Sequence, residues 1–218
     1  MSVSTWGERL IFANAAKMIQ SNGLSVANAV LTQSYLRLEV AASTSNTTWT
    51  FNTLNNPGGQ FGTEQRLTLQ DSFVVGQCGI FWFIPTASGS PGPSNSPLIS
   101  WPNANTFTTA NAASAAESLY NSYLQLNVNK KLVVPAWDVY RSRTVNQTQL
   151  TAATNSPVDQ LSGRDDVFYP TEPNWVVIGS RNSVFTIIMP NAFAAIQANS
   201  RIVLYMRGVL AQNTTSVQ

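Results

Sequence analysis

The chain of 218 residues has no histidine and one cysteine, and only 10% of its residues are charged. Each shortage excludes something. Without histidine there is no Ser-His-Asp or Cys-His nucleophile system, no His-ligated zinc and no imidazole proton shuttle. One cysteine forms neither an intramolecular disulfide nor a thiolate cluster. Cys78 sits in the apolar run Phe73-Val74-Val75-Gly76-Gln77-Cys78-Gly79-Ile80-Phe81 and reads as a small buried hydrophobe rather than a reactive thiol. No stretch approaches about 18 consecutive apolar residues, and the N-terminus lacks the succession of a signal peptide, so a membrane-spanning or visibly secreted chain is not expected. Twelve basic residues against ten acidic ones leave +2 without a basic run, which argues against sequence-specific nucleic acid as a partner.

What replaces charge is amide and hydroxyl: 23 Ser, 21 Thr, 21 Asn and 13 Gln make 78 of the 218 residues. An average domain carries about 25% charged residues, so this surface must be neutral. Six Trp, six Tyr and ten Phe supply the apolar bodies that disordered segments lack. The length suits one core, divided here into an N-terminal helix or arm at 1–22 and a β domain at 23–218.

The opening residues read as a helix. Thr5 and Glu8 have the form of a capping box, Trp6, Leu10, Met18 and Ile19 recur at helical spacing, and Gly23 is a stop. Two readings stand: a helix packed on its own domain, or an arm docked on a neighbouring subunit or an underlying layer. As an arm, its removal would weaken assembly more than folding.

From residue 34 the period changes to two. Tyr35–Val40, Thr48–Phe51 and Arg66–Leu69 are short runs bounded by Asn, Gly, Pro or Ser. Phe73–Ile84 is the most apolar run and reads as a central strand bent or bulged at Gly76 and Gly79. Thr86–Pro97 reads as an exposed loop, Leu98–Trp101 as a brief strand, and Thr109–Asn121 as an Ala-rich surface helix. Further strands follow at Tyr123–Val128, Leu132–Pro135, Trp175–Ile178, Val184–Met189 and Arg201–Ala211, with a long polar excursion from Tyr140 to Pro173. The closing strand alternates Ile202, Leu204 and Met206 with Val203, Tyr205 and Arg207, which places it near a sheet edge or beneath a covering segment. About ten strands with unequal loops fit an all-β antiparallel sandwich of the jelly-roll kind, with a single roll favoured and a compact double roll the alternative, plus an N-terminal helix and a short surface helix.

Candidate chemistry is sparse. The carboxylates Glu8, Glu39, Glu64, Asp71, Glu117, Asp138, Asp159, Asp165, Asp166 and Glu172 form no pair at a glycosidase-like spacing and no calcium loop. No catalytic residue, metal or cofactor is expected. Arg141 and Arg143 follow the aromatic run Trp137-Asp138-Val139-Tyr140 directly after a strand, a setting that suits either an interface or a solvated strand end with Asp138 as local partner. A neutral surface can approach a copy of itself without like-charge repulsion. Trp6, Leu10, Trp137, Arg141 and Arg143 are therefore the expected assembly contacts.

Four segments carry a resemblance: Asp71–Trp82, Trp101–Phe107, the junction Leu119–Leu126, and Gln147-Thr148-Gln149. Together they resemble the jelly-roll major coat proteins of tailless icosahedral bacteriophages, including lipid-containing phages of flavobacteria. The likeness implies a structural virion protein made in the host cytoplasm, self-assembling as trimeric or hexameric capsomers with other capsid proteins, in some such phages over a membrane. The rival reading is a carbohydrate- or receptor-binding β-sandwich, like a phage spike head, presenting two or three Trp on one exposed face.

Overall fold

The computed structural model describes residues 3–54, 61–84, 98–100, 111–143 and 168–216; for 3–10, 113, 215 and 216 only the backbone is described. It is an antiparallel β-sandwich with a helix laid across one outer face. Helix α1 (Val3–Ser21) leads into strands β1 (Leu24–Ser25), β2 (Val30–Ala41), β3 (Thr48–Asn52), β4 (Ser72–Phe83) and β5 (Leu98–Ile99). The short helix α2 (Ala112–Ala116) continues into a 3-10 turn (Glu117–Asn121). Strands β6 (Tyr123–Val128) and β7 (Lys131–Asp138), a second 3-10 turn (Val139–Ser142), β8 (Tyr169–Ile178), β9 (Ser183–Ile188), β10 (Arg201–Gln212) and β11 (Thr215–Ser216) complete the order.

One sheet runs β2-β10-β4, with β8 and β5 sharing the far edge of β4; the other runs β3-β9-β6-β7. A small pair, β1 with β11, ties the chain's two ends together. The alternation of side chains across a strand sends Leu36, Leu38, Phe73, Ile80, Trp82, Ile202, Leu204 and Met206 of the first sheet inward. They meet Trp49, Phe51, Leu124, Leu126, Phe185 and Ile187 of the second in one core. Each such large side chain, fully buried, contributes about 1.5–3 kcal/mol.

Strand β4 is the apolar centre that its composition demands, buried at all twelve positions. It bulges at Gly76, where register shifts against both β8 and β10, whereas Gly79 pairs regularly with Tyr205. The closing strand differs from the edge expectation: β10 pairs β2 on one side and β4 on the other. Its second face is covered. Val209 and Ala211 lie under α1, and Val203 and Tyr205 pack with Phe81 and Phe168.

The helix follows the first of its two readings over residues 11–21. Ala15 and Ile19 are buried against Val74, Ile178, Val209 and Ala211 on the outer face of the first sheet. The helix starts at Val3, so Thr5 lies inside it and is not its cap. Its end is as expected: Gly23 takes a left-handed φ of 77° that other residues adopt at a cost. The Arg181 guanidinium donates to the Asn22 carbonyl at 2.7 Å.

Other boundaries move for local reasons. Strand β2 starts at Val30, earlier than the period suggests, because its polar Thr32-Gln33-Ser34 stretch still pairs residue by residue with β10. The Ala-rich helix splits into α2 and a 3-10 turn. Strand β8 begins at Tyr169, inside the expected excursion, and β6 and β7 join through a two-residue turn, Asn129-Lys130, with φ of 48° and 66°. The loop Thr86–Pro97, the Trp101–Phe107 turn, Gln147–Gln149, and Asp159, Asp165 and Asp166 lie outside the described residues.

Candidate functional site

A sandwich of two open sheets has four edges, and each is a row of unpaired backbone donors and acceptors unless something covers it. On one side the segment 61–67 spans the gap between the sheets. Arg37 and Gln65 exchange backbone hydrogen bonds at the β2 edge, and Leu67 N–H donates to the Thr53 carbonyl beyond β3. That segment is anchored by charge: Glu39, fully buried, accepts from Arg37 (2.7 Å), Arg201 (3.0 Å) and Thr63 (2.5 Å), while Glu64 holds Arg66 and the Glu39 N–H. Arg201 is stacked between the rings of Phe61 and Phe83.

Among the described residues, the opposite side, between β7 and β8, is left uncovered. A cleft of about 1010 Å³ runs there, lined by β7 from Lys131 to Trp137, by Pro170 and residues 172–176 of β8, and by Asn22, Val128, Asn129, Arg141 and Arg181. Trp137 and Trp175, one from each sheet, meet edge to face with ring centres 6.1 Å apart. Both are more than nine-tenths buried, and the Trp137 Nε1 has no hydrogen-bond partner among the described residues.

Neither lip of the cleft accepts a further strand easily. Strand β7 carries Lys131 and Pro135 and loses register twice against β6, between Leu124 and Leu126 and again before Asn127. Strand β8 carries Pro170 and Pro173, and its residues 171–174 bulge opposite Gly76, held by Thr171 Oγ1 and Asn174 Nδ2 on the Val75 carbonyl at 2.7 and 3.2 Å. Proline, lysine and bulges are the features that blunt a sheet edge. The second register loss of β7 also leaves adjacent residues Leu132 and Val133 both exposed, at 47% each, where strict alternation would hide one of them.

The expected contact residues separate. Trp137 and Arg141 line the cleft together, Trp137 as a buried support and Arg141 exposed, without an ion pair or hydrogen bond among the described residues. Arg143 does not join them: its guanidinium pairs with the Glu117 carboxylate, fastening the turn after β7 to the turn after α2. Asp138 is the partner of neither arginine; its carboxylate accepts the Tyr140 N–H at 3.0 Å and caps the 3-10 turn. Beside the Arg143 pair, burial and the Glu117 carboxylate push the Tyr120 hydroxyl up, with Arg143 partly offsetting them. Trp6 and Leu10 belong to α1, and their side chains lie outside the described residues.

Sequence reasoning missed Glu172, Lys131 and Arg181 as cleft residues. Glu172 is separated from the arginines by some thirty positions and had only its carboxylate to mark it. The other charges are placed structurally, and among the described residues no three His, Cys, Asp or Glu side chains gather as a metal site would require. No described helix is long and apolar enough to cross a membrane. Cys78 is buried, and burial pushes its thiol well above the usual range. Four of the six tryptophans, Trp49, Trp82, Trp137 and Trp175, are buried, so none of these four offers a sugar platform. The chain matches no protein-family model, no curated protein and no solved structure.

Proposed function

We propose that this chain is a jelly-roll coat subunit that self-assembles into an icosahedral virion shell, its open β7–β8 side serving as a contact surface. The observation that carries the reading is the nesting of strand pairs: β2 with β10, β3 with β9, β4 with β8 and β6 with β7. A chain folded back on itself at the β6–β7 turn and then wound up produces these pairs, and the winding adds the pairs β10 with β4 and β9 with β6. Eight strands wound this way, with β5 added to the first sheet, support a jelly roll, the arrangement found in capsid subunits, lectins and cupins.

Fold alone does not choose among those hosts. Composition supports the coat reading, since a surface poor in charge and rich in amides and hydroxyls tiles against itself at low electrostatic cost. Exposed charge contacts are worth about 0–1 kcal/mol each, which suits a shell whose errors must be reversible before closure. On this reading the partners are other copies in trimeric or hexameric capsomers and other capsid proteins, the location is the virion, and no catalytic residue, metal or cofactor takes part.

Light scattering and negative-stain imaging of the purified chain over a range of concentration and salt test the reading. Uniform capsomers or closed particles are the expected result. A protein that stays monomeric throughout overturns it and favours a receptor- or sugar-binding sandwich.

A further inference from the structure

We propose that the cleft docks the same cleft of a second copy about a two-fold axis, with Glu172 of each copy paired to Arg141 of the other. This rests on the assembly reading and names the partner of its contact surface. A two-fold contact must be self-complementary, because each residue i that touches j is matched by a j that touches i. The lips of the cleft meet that requirement in charge: the exposed charges are Lys131 and Arg141 on the β7 side and Glu172 on the β8 side, while the half-buried Arg181 is engaged by the Asn22 carbonyl. Neither Arg141 nor Glu172 has an ion pair or hydrogen bond with another described residue of its own chain. A uniformly acidic partner would satisfy Arg141 and be repelled by Glu172, and a basic one the reverse. A second copy, rotated, brings the opposite sign to each lip.

Two more observations point the same way. Leu132 and Val133, exposed side by side on the β7 lip, gain from being covered. The prolines and bulges of β7 and β8 exclude a continuous inter-subunit sheet, leaving a contact made by side chains. From Lys131 to Trp137 the lip spans roughly 20 Å at about 3.3 Å per residue. A contact of that length covers a few hundred Å² per copy, below the roughly 800 Å² per partner of stable pairs. One such contact is weak alone and adds up only in a shell.

The test uses the full chain and three samples beside the wild type: Glu172→Arg, Arg141→Glu, and an equimolar mixture of the two. Both positions are exposed, and thermal melts matching the wild type check that the variants fold. Each single reversal places like charges across the axis and is expected to weaken association about tenfold or more by sedimentation or light scattering. In the mixture, a Glu172→Arg copy facing an Arg141→Glu copy has opposite charges at both pairings: the two introduced residues meet each other, and the native Arg141 of the first meets the native Glu172 of the second. Assembly of mixed particles is therefore expected to return. Singles that assemble like the wild type overturn the proposal while leaving the coat reading intact. So do singles that fail to assemble and are not rescued by mixing. A wild type that never associates overturns both.

Discussion

Ile11 of α1 occupies the space that a side chain on Gly76 of β4 would need. The bulge in the central strand and the helix above it are thus fitted to each other. The atom in the way is the tip of a flexible side chain, so Gly76→Ala is expected to cost under about 1 kcal/mol as Ile11 changes rotamer. Gly208, across the same bulge, differs: there the obstruction is the Val74 carbonyl, which cannot rotate away. Gly208→Ala is expected to cost at least about 2–3 kcal/mol. Parallel urea titrations decide, and equal costs would show that the backbone yields as readily as a side chain.

Removal of residues 1–21 should lower stability before it touches assembly. It uncovers Val74, Ile178, Val209 and Ala211 on the outer face of the first sheet and discards the buried Ile19. Ile19→Ala, the gentler version, should cost about 2–4 kcal/mol and roughly 5–15 °C in Tm. A truncated chain that melts with the full one would instead mean that the helix is bound loosely, as an arm is.

Much of this arrangement was legible in the sequence where burial is two-sided. Strand β4 declares itself because both its faces are covered, one by the core and one by α1 and Phe168. Strand β10 is as central, yet Tyr205 and Arg207 on its outer face looked like an edge. Those side chains lie over or beside aromatics: Tyr205 stacks on Tyr35, and Arg207 sits 3.8 Å from the Phe168 ring centre. No local pattern carries a partner that far away in the chain. The first half of strand β8, residues 169–174, escaped because Pro170 and Pro173 read as loop, and they are tolerated only because β8 is an edge. At the cleft, Trp137 and Arg141 were found by adjacency, while the diversion of Arg143 to Glu117 depends on a contact across 26 residues.

Glu39→Ala should be among the most damaging single changes. The carboxylate has no solvent exposure and neutralises Arg37 and Arg201, whose side chains are 17% and 12% exposed. Removing it leaves two largely buried cations without their anion, a change that costs about 3–5 kcal/mol in comparable buried pairs. It should also free the segment 61–67, seen as faster hydrogen exchange at the Arg37 and Gln65 amides. A melt unchanged within about 1 kcal/mol would place these charges among ordinary surface pairs.

Stability should be flat through neutral pH and fall on the alkaline side. With no histidine, no side chain has an ordinary pKa between about 5 and 8. Burial pushes the Cys78 thiol up, and it pushes up Tyr120 and Tyr205 as well, aided by Glu117 and by Tyr35 respectively and opposed by nearby arginines. In each case the folded state keeps a proton that the unfolded chain releases. The stabilisation is therefore complete below the unfolded pKa and is lost as pH rises above it, by up to about 1.4 kcal/mol per pH unit for the fully buried Cys78 and Tyr120 and by less for the half-buried Tyr205, which solvent screens. The thiol acts first, from about pH 8.5, and the tyrosines from about pH 10. Cys78→Ala should lower stability at pH 7 but remove the slope between about pH 8.5 and 10, measured by denaturant titration at half-unit steps. If the slope persists in the variant, the thiol is not its source and the proton is released elsewhere.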